Sequence, residues 1–470
     1  MIKLFSILLN GKSSLFSYII VVREMLEKLK GKKLLASELL SQLSFFETSD
    51  IIRFPGIQQI KGVVRCFRCG HMLKRGRNQQ FLEGNIMYYC SHCIQMGKVD
   101  ESTELYHLPN DTRDQLLVTC TWEGELTIHQ HKIAKQLVKH YQEGHDTLVH
   151  AVTGAGKTEM LYPLILEVIS HGGSVCLAAP RTDVCIELFK RISPLFTCES
   201  CLIYGGSDKP SKFVPLIVCT THQLYRYYQA FDCLVLDEVD AFPFRGNPSL
   251  EYAVDQSVKL TGKRVLLTAT PSAKQLHDVK QGLLKKETLF LRYHGRPLPV
   301  PDFVYCPSYL GGQTILPKQL QQLINQQLTN QRRTLIFVPT IATGKHLSKL
   351  LKKHYPTSRI ANVSSVDHAR HEKVEKMRDN YFDLLVTTTI LERGVTFSDI
   401  DVIVFGAHHP IYNTASLVQI AGRVGRKNEF PNGHVYYLHE GQSLAMKKSR
   451  KQIKLMNRIG ALMNSELSDV

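Results

Sequence analysis

The sequence contains no uninterrupted apolar run long enough to cross a lipid bilayer. Its most apolar region, residues 1–24, holds two short runs that Asn10, Gly11 and Lys12 separate. A transmembrane helix requires about 20 consecutive apolar residues, so no membrane span is predicted here. No clear small-residue cleavage site follows, and a signal peptide is not predicted either. Met25 is an alternative start, in which case residues 1–24 are not translated.

The sequence also has fewer acidic than basic residues. The chain of 470 residues has 42 Asp+Glu against 58 Lys+Arg, a formal net charge of +16. A net positive charge attracts polyanions, which favours nucleic acid or an anionic membrane surface as a partner, with ordinary solubility as the alternative explanation of the charge.

The 12 cysteines are too sparse for a small secreted disulfide framework, and several stand singly in apolar runs. A reducing cytoplasm is therefore predicted.

The chain alternates short β-branched runs with longer helical stretches from Asp146 onward, the pattern of a parallel sheet covered by helices. A Pro/Gly-rich stretch at 294–301 separates two such sets. The predicted strands are 146–152, 174–179, 215–220, 233–236 and 264–267 in the first set, and 334–338, 359–363, 383–386, 401–405 and 435–438 in the second. The predicted domains are an N-terminal segment 1–60, a cysteine module 61–110, and α/β domains 111–291 and 292–470.

Two Cys-x-x-Cys pairs lie in the module. Their four cysteines are Cys66, Cys69, Cys90 and Cys93. Two residues between cysteines let both thiolates turn toward one ion, and four thiolates complete a closed structural zinc site. Basic and aromatic residues lie between and beside the pairs, which suits either a nucleic-acid surface or a solvated face with structural aromatics. They are Arg65, Phe67, Arg68, Lys74, Arg75, Arg77, Tyr88 and Tyr89.

A phosphate-binding loop is predicted between a strand and a helix. It comprises Ala151, Val152, Thr153, Gly154, Ala155, Gly156, Lys157 and Thr158, with Ala151 where the pattern has its opening glycine. Its backbone N–H groups and the following helix N-terminus favour an anion. Lys157 is predicted to reach the β- and γ-phosphates of ATP, and the Thr158 hydroxyl to hold Mg²⁺.

Two carboxylates end an apolar strand about 80 residues after this loop, in the run from Leu234 to Asp240. Burying acidic residues there is costly unless a cation compensates. Asp237 suits Mg²⁺, and Glu238 suits polarisation of the attacking water.

With these motifs in order, the chain resembles the superfamily 2 helicases of the DEAD/DEAH kind over most of residues 120–440. Further motifs carry the resemblance, at 126–130, 179–184, 220–224, 268–270, 335–340, 387–396 and 419–426. The resemblance implies an adenine contact from Gln130. It implies nucleic-acid contacts from Arg181, Thr182, Thr220, Thr221, Thr387 and Thr388. It also implies that Arg423 and Arg426 reach the γ-phosphate, and a forked, permanently charged guanidinium suits charge developing there.

Within this superfamily the chain resembles the ComFA family, the ATPases of natural competence in Gram-positive bacteria. The four-cysteine module before the motor, the Pro-rich segment 292–299 and the compact length carry the resemblance. It implies an α/β fold of two tandem RecA-like parallel-sheet domains preceded by a small four-cysteine zinc ribbon, with ATP, Mg²⁺ and Zn²⁺. It further implies cytoplasmic action at the membrane on incoming single-stranded DNA, with ComFC and the ComEC channel as partners.

Two alternatives stay open. A restart helicase of the PriA kind shares much of the motor, although it carries its cysteines between the motor halves and has a larger N-terminal DNA-binding part. An adaptor that binds DNA through its zinc module, with the nucleotide acting only as a switch, requires no turnover.

Overall fold

The computed structural model describes residues 26–27, 29–39, 50–60, 62–82, 84–111, 115–207, 212–307, 315–395, 397–426 and 433–465. The expectations for residues 1–24 and Met25 lie outside this range. Within it, no helix is both long enough and apolar enough to cross a bilayer.

Most strands belong to two parallel sheets, and the N-terminal part forms small antiparallel sheets. In chain order the strands are β1 Lys33–Leu35, β2 Ile52–Pro55, β3 Ile57–Ile60, β4 Val63–Cys66, β5 Gln79–Leu82, β6 Asn85–Tyr88, β7 Glu104–His107, β8 Thr147–Ala151, β9 Val175–Ala179, β10 Ser200–Ile203, β11 Leu216–Thr220, β12 Phe231–Leu236, β13 Val258–Thr268, β14 Lys285–Leu289, β15 Asp302–Tyr305, β16 Arg333–Phe337, β17 Ile360–Val363, β18 Leu384–Thr387, β19 Ile400–Phe405 and β20 Val435–His439.

The α-helices belong to the two α/β domains, except the first, which contacts β1 and β7 of the N-terminal part. They are α1 Ala36–Leu39, α2 Ile128–Gln142, α3 Tyr162–Ser170, α4 Thr182–Ile192, α5 Pro248–Ser257, α6 Ala273–Lys280, α7 Lys318–Thr329, α8 Ile341–His354, α9 Arg370–Arg378, α10 Thr414–Ala421 and α11 Leu444–Ser465. Short 3₁₀ turns occupy Ser91–Met96, Glu159–Leu161, Ser193–Leu195, Thr221–Arg226 and Thr389–Leu391.

The first RecA-like domain has a seven-stranded parallel sheet with the order β10-β11-β9-β12-β13-β8-β14. Its inner strands β9 and β11 are buried at every residue, as expected for a sheet covered on both faces. The second domain has a six-stranded parallel sheet with the order β15-β20-β19-β16-β18-β17. The predicted fold of two tandem parallel-sheet domains is therefore confirmed.

Every predicted strand is present, although the sequence interpretation predicted none of the N-terminal strands β1 to β7. In the two parallel sheets it missed three: β10, β14 and β15. All three lie at sheet edges. An edge strand is partly exposed and carries mixed residues, such as the Lys-Lys-Glu-Thr-Leu run of β14, so it lacks the continuous apolar run that identifies a central strand.

The N-terminal part joins the cysteine module to the first domain. Strands β1 and β2, before the first Cys-x-x-Cys pair, pair antiparallel with β7, which follows the second pair. Lys32 also forms a bridge to Tyr227 of the first domain. The module is thus held by a sheet whose strands come from both of its sides.

Candidate functional site

The predicted phosphate loop begins where β8 ends. Ala151 is the last, fully buried residue of β8, and its extended backbone suits alanine. Gly154 and Gly156 have φ of +84° and +73°, the left-handed region that favours glycine. The two glycines that the sequence retains therefore stand where the backbone requires them, whereas the opening position does not require one.

Lys157 and Thr158 complete the loop. The Lys157 Nζ donates a hydrogen bond of 3.4 Å back to the Ala151 carbonyl oxygen. Thr158 is buried directly before the 3₁₀ turn that leads into α3. The predicted order of strand, loop and helix is present, so the loop N–H groups and the helix N-terminus lie on the same side as the lysine.

Gln130 anchors the helix beside this loop. Its amide oxygen accepts from Thr127 N at 2.8 Å in a capping box at the start of α2. Its Nε2 donates to the Ala155 carbonyl oxygen at 2.8 Å. A Cβ added at Gly156 would lie 2.2 Å from that Nε2, so a side chain there would displace the glutamine. Gln130 therefore fixes the loop as well as lining the cleft beside it.

Asp237 and Glu238 lie at the carboxyl end of β12. Burial raises the pKa of both carboxyl groups. The positive charge of Lys157 partly offsets this rise at Asp237, and that of Arg393 partly offsets it at Glu238. Glu238 has φ of +54°, an unfavourable conformation for a residue with a Cβ. Such strain at a candidate water-polarising residue is typical of functional sites.

Arg423 and Arg426 lie on the turn that follows α10. Arg423 Nε donates to the Glu392 carbonyl oxygen at 3.0 Å, and the buried Nη1 and Nη2 have no hydrogen-bond partner among the described residues. Burial, and then the nearby charge of Arg426, lowers the pKa of Arg423. Burial also lowers the pKa of Arg426, to about 10. The two unpaired Nη groups of Arg423 fit a polyphosphate, whose oxygens would accept from both.

All five residues predicted to act on phosphate line one cleft of about 600 Å³ between the two domains. Lys157, Asp237 and Glu238 come from the first domain, and Arg423 and Arg426 from the second. Gln130, Thr153, Gly154, Gly156 and Thr158 also line it, while Ala151, Val152 and Ala155 are buried behind it. Thr153 Oγ1 donates to Gln419 Oε1 at 3.2 Å, so the phosphate loop contacts α10 directly.

The predicted nucleic-acid contacts lie outside this cleft. Thr220, Thr221 and Thr387 are buried at the ends of β11 and β18, whereas Arg181, Thr182 and Thr388 are half-buried. Arg181 donates across the domains to the Ile390 carbonyl oxygen. In this arrangement the three buried threonine side chains are not presented to solvent.

The sequence interpretation missed an ion pair between the domains. Arg393 Nη2 lies 2.6 Å from Asp240 Oδ2, and its Nη1 lies 3.6 Å from Glu238 Oε2. Asp240 also accepts from Thr268 and Thr270, in the 268–270 motif, at 2.9 and 2.8 Å. The signal available was an acidic residue at the end of a buried strand, which requires a cationic partner.

The four cysteines of the module converge. Their Sγ atoms all lie within 4.8 Å of one another and all four residues are buried. Cys66 and Cys93 Sγ are 3.8 Å apart, and Cys69 and Cys90 Sγ are 3.6 Å apart. Four ligands at about 2.3 Å around a tetrahedral ion lie about 3.8 Å from one another, so the cluster fits zinc and leaves no open position for catalytic water.

The module packs closely on the first domain. Glu38 receives hydrogen bonds from Arg68 at 3.3 Å and from Arg226 of the 3₁₀ turn after β11. Tyr252 of α5 donates to the Phe67 carbonyl oxygen at 3.1 Å. Arg68 and Phe67 are buried, so they are wrong as members of an exposed nucleic-acid surface.

Comparison with known proteins agrees with this architecture. Residues 19–107 match the competence protein ComFA N-terminal domain, residues 129–279 the DEAD/DEAH box helicase domain, and residues 316–428 the helicase conserved C-terminal domain. The chain is 41% identical over 417 residues to competence protein ComFA of Streptococcus pneumoniae, covering 87% of this chain and 94% of that protein. The chain belongs to the ComFA family.

A second family member, competence protein ComFA of Bacillus subtilis, is 36% identical over 458 residues, which is 96% of this chain and 97% of that protein. The replication restart protein PriA of Rickettsia conorii is 24% identical and matches 53% of this chain but only 41% of its own length. That likeness covers only part of each chain, while the ComFA likeness extends over nearly all of it.

Solved helicase structures share the fold. Mss116p bound to single-stranded RNA and AMP-PNP matches with a TM-score of 0.52 and 18% identity, covering 67% of this chain and 69% of that one. A variant of Dbp5 from S. cerevisiae, bound to RNA and ADP BeF3, matches with a TM-score of 0.50 and 16% identity, covering 72% and 93%. This ComFA-family chain therefore has the domains of a superfamily 2 ATPase, which imply the use of ATP and Mg²⁺.

Proposed function

We propose that this protein is an ATP-driven translocase that moves single-stranded DNA into the cytoplasm during natural competence. The observation that carries the proposal is the shared cleft, in which Lys157, Asp237 and Glu238 of one domain face Arg423 and Arg426 of the other. A site divided between two domains couples the state of the nucleotide to the distance between the domains. Competence as the setting rests on membership of the ComFA family.

In this proposal each side chain of the cleft has a distinct task. Lys157 and the loop N–H groups bind the β- and γ-phosphates, and Gln130 contacts the adenine. Thr158 and Asp237 hold Mg²⁺, which neutralises charge on the phosphate oxygens when bound. Glu238 orients the attacking water, and Arg423 and Arg426 stabilise the charge that develops on the transferred phosphoryl group.

Strand movement requires alternating contacts on the two domains. We place these at Arg181, Thr182, Thr220 and Thr221 on the first domain, and at Thr387 and Thr388 on the second. A strand reaches the three buried threonine hydroxyls only after a rearrangement, and opening of the cleft after hydrolysis provides one. Each cycle of closure and opening then changes which domain holds the strand.

The cysteine module is proposed to bind one structural zinc ion and to hold the strand or a partner near the first domain. Its exposed Lys74, Arg75 and Arg77 suit phosphate contacts. ComFC and the ComEC channel as partners, and cytoplasmic action with peripheral membrane association, follow from the family resemblance alone.

The proposal is tested by ATP hydrolysis measured in parallel with single-stranded DNA, duplex DNA and RNA. Turnover stimulated mainly by single-stranded DNA is expected. Stoichiometric binding without turnover would instead support the adaptor function.

The competence role is tested with Lys157→Ala in the natural host. The variant is expected to lose transformation while growth and DNA repair stay normal. Normal transformation combined with sensitivity to replication damage would support a restart helicase.

A further inference from the structure

The linker between the two domains runs beside the phosphate loop. Edge strand β14 pairs in parallel with β8, with Leu289 opposite Ala151. Val152 N then donates to the Leu289 carbonyl oxygen at 3.0 Å. This register carries the residues after β14 along the loop, where Tyr293 N donates to the Gly154 carbonyl oxygen at 3.1 Å.

Arg292, at the start of this linker, reaches from the phosphate loop to the second domain. Its side chain is 2% exposed, and its Cγ would lie 3.7 Å from a Cβ built on Gly154. Its Nη1 donates to the Val424 carbonyl oxygen at 2.8 Å and also to that of Gly425, and its Nη2 donates to that of Gly422 at 3.4 Å. One guanidinium therefore binds three carbonyls of a single turn.

These carbonyls directly follow the C-terminal end of α10, where the helix carries partial negative charge. A planar guanidinium with several donors can bind several of them at once, whereas a lysine ammonium concentrates its charge at one point. His294 Nε2 lies 3.0 Å from the Gly425 carbonyl oxygen and adds a second contact from the linker.

The turn from Gly422 to Gly425 sets the orientation of the Arg423 and Arg426 side chains. Arg423 lies within the turn, and Arg426 follows it directly. Gly425 has φ of +65°, so the turn has a specific backbone shape to be maintained. Arg292 and Arg426 both donate to the Gly422 carbonyl oxygen, and burial, followed by the charge of Arg426, lowers the pKa of Arg292 and of Arg423. Like charges held close together repel one another, so contacts that fix the backbone carrying Arg423 and Arg426 help to keep these side chains in place.

We propose that Arg292 is a positioning residue for ATP hydrolysis: it fastens the Gly422–Gly425 turn to the phosphate loop, so that Arg423 and Arg426 meet the phosphates in a fixed geometry. This inference rests on the proposed role of Arg423. Arg292 touches no phosphate in this role. It aligns a turn of one domain with a loop of the other, and it lies in the only covalent connection between them.

The test compares Arg292→Gln and Arg292→Lys with Arg296→Ala, an exposed linker control. Steady-state kcat and KM for ATP are measured with saturating single-stranded DNA. Because a misplacement of about 1 Å costs about 100-fold in rate, Arg292→Gln is expected to lower kcat by about 10- to 100-fold with KM within about threefold. Arg292→Lys, which keeps the charge but not the fork, is expected to lie between Arg292→Gln and wild type. Arg296→Ala is expected to behave as wild type.

ATP affinity is followed separately by the fluorescence of Trp122, the only tryptophan, which lines the cleft. A change in KM alone, or wild-type kcat in Arg292→Lys, overturns the inference. If Arg292→Gln is insoluble, the lysine variant decides the question by the same criteria.

A mutant cycle separates this inference from the function on which it rests. If Arg292 acts through Arg423 and Arg426, then adding Arg292→Gln to a variant that already carries Arg423→Ala and Arg426→Ala lowers kcat no further. Additive losses overturn the positioning role. Wild-type turnover in Arg423→Ala alone would overturn the proposed arginine function, while an inactive Arg423→Ala beside a fully active Arg292→Gln overturns only the inference about Arg292.

Discussion

Arg393 of the second domain and Asp240 of the first form a buried ion pair, with 2.6 Å between Nη2 and Oδ2 and both side chains almost fully enclosed. Asp240 also binds the hydroxyls of Thr268 and Thr270. The pair thus connects the segment that follows β12, and with it the 268–270 motif, to the second domain. Charges enclosed in this way are matched only while the domains are closed.

Replacing Arg393 with alanine is expected to destabilise the closed arrangement strongly, because it leaves Asp240 and Glu238 without their cation. Removing one partner of a buried pair costs about 3–5 kcal/mol, so turnover is expected to fall by more than about 100-fold. ATP hydrolysis and small-angle scattering with a nucleotide analogue measure the two effects. Arg359→Ala, which removes an exposed pair within the second domain, is the control and is expected to change little. Wild-type closure in Arg393→Ala would contradict this role.

Arg423→Ala is expected to lower kcat by about 100- to 1,000-fold, because its unpartnered donors meet charge that develops only in the transition state. ATP affinity, followed by Trp122 fluorescence, is expected to change by a few fold at most. Arg458→Ala, on the exposed face of α11, serves as the control. Equal losses of affinity and turnover would show that the arginine binds ground-state ATP.

Purified protein is expected to contain one zinc ion per chain, held by Cys66, Cys69, Cys90 and Cys93. Metal analysis checks the stoichiometry. Single Cys→Ser variants are expected to be poorly soluble before they show a clean loss of catalysis, because thiolate ligation supplies folding energy to so small a module. Zinc content that survives all four replacements would disprove the site.

Glu38→Gln is expected to loosen the module from the first domain, since it removes the charge that Arg68 and Arg226 share. Arg68 is fully buried and would keep an unmatched charge, a costly condition. Limited proteolysis between the module and α2 should become faster. Glu104→Gln, which alters an exposed pair with Arg53, is the matched control, and equal cleavage of both variants would refute the prediction.

His150 is expected to make stability depend on pH. Burial, followed by the charge of Lys286, lowers its pKa to about 4. As the pH falls from about 6.5 to about 4, the unfolded chain, with a histidine pKa of about 6.5, therefore binds a proton that the folded chain does not. The free energy of unfolding decreases across that window by up to about 1.4 kcal/mol per pH unit. His150→Gln should flatten this dependence in denaturant unfolding, whereas the exposed control His171→Gln should not.

Much of the motor could be predicted from the sequence because its signals are local. Continuous apolar runs identified the central strands, and adjacent glycine, lysine and threonine identified the phosphate loop. Arg393 could not be assigned a partner in this way, since it is 153 residues from Asp240 and only the meeting of the domains joins them. Arg292 likewise stands in a Pro-rich segment that gives no sign of the carbonyls it binds.

The position of the sheet β1-β7-β2 leads to an expectation about the order of folding. The Gly56 N–H bonds the Thr103 carbonyl oxygen, so the whole segment 56–103 forms a closed loop between β2 and β7. Bringing the two ends of this loop together has an entropic cost, and a module that is already folded holds its ends close to one another. Metal uptake is therefore expected to precede assembly of this sheet. The two large parallel sheets contain none of its strands.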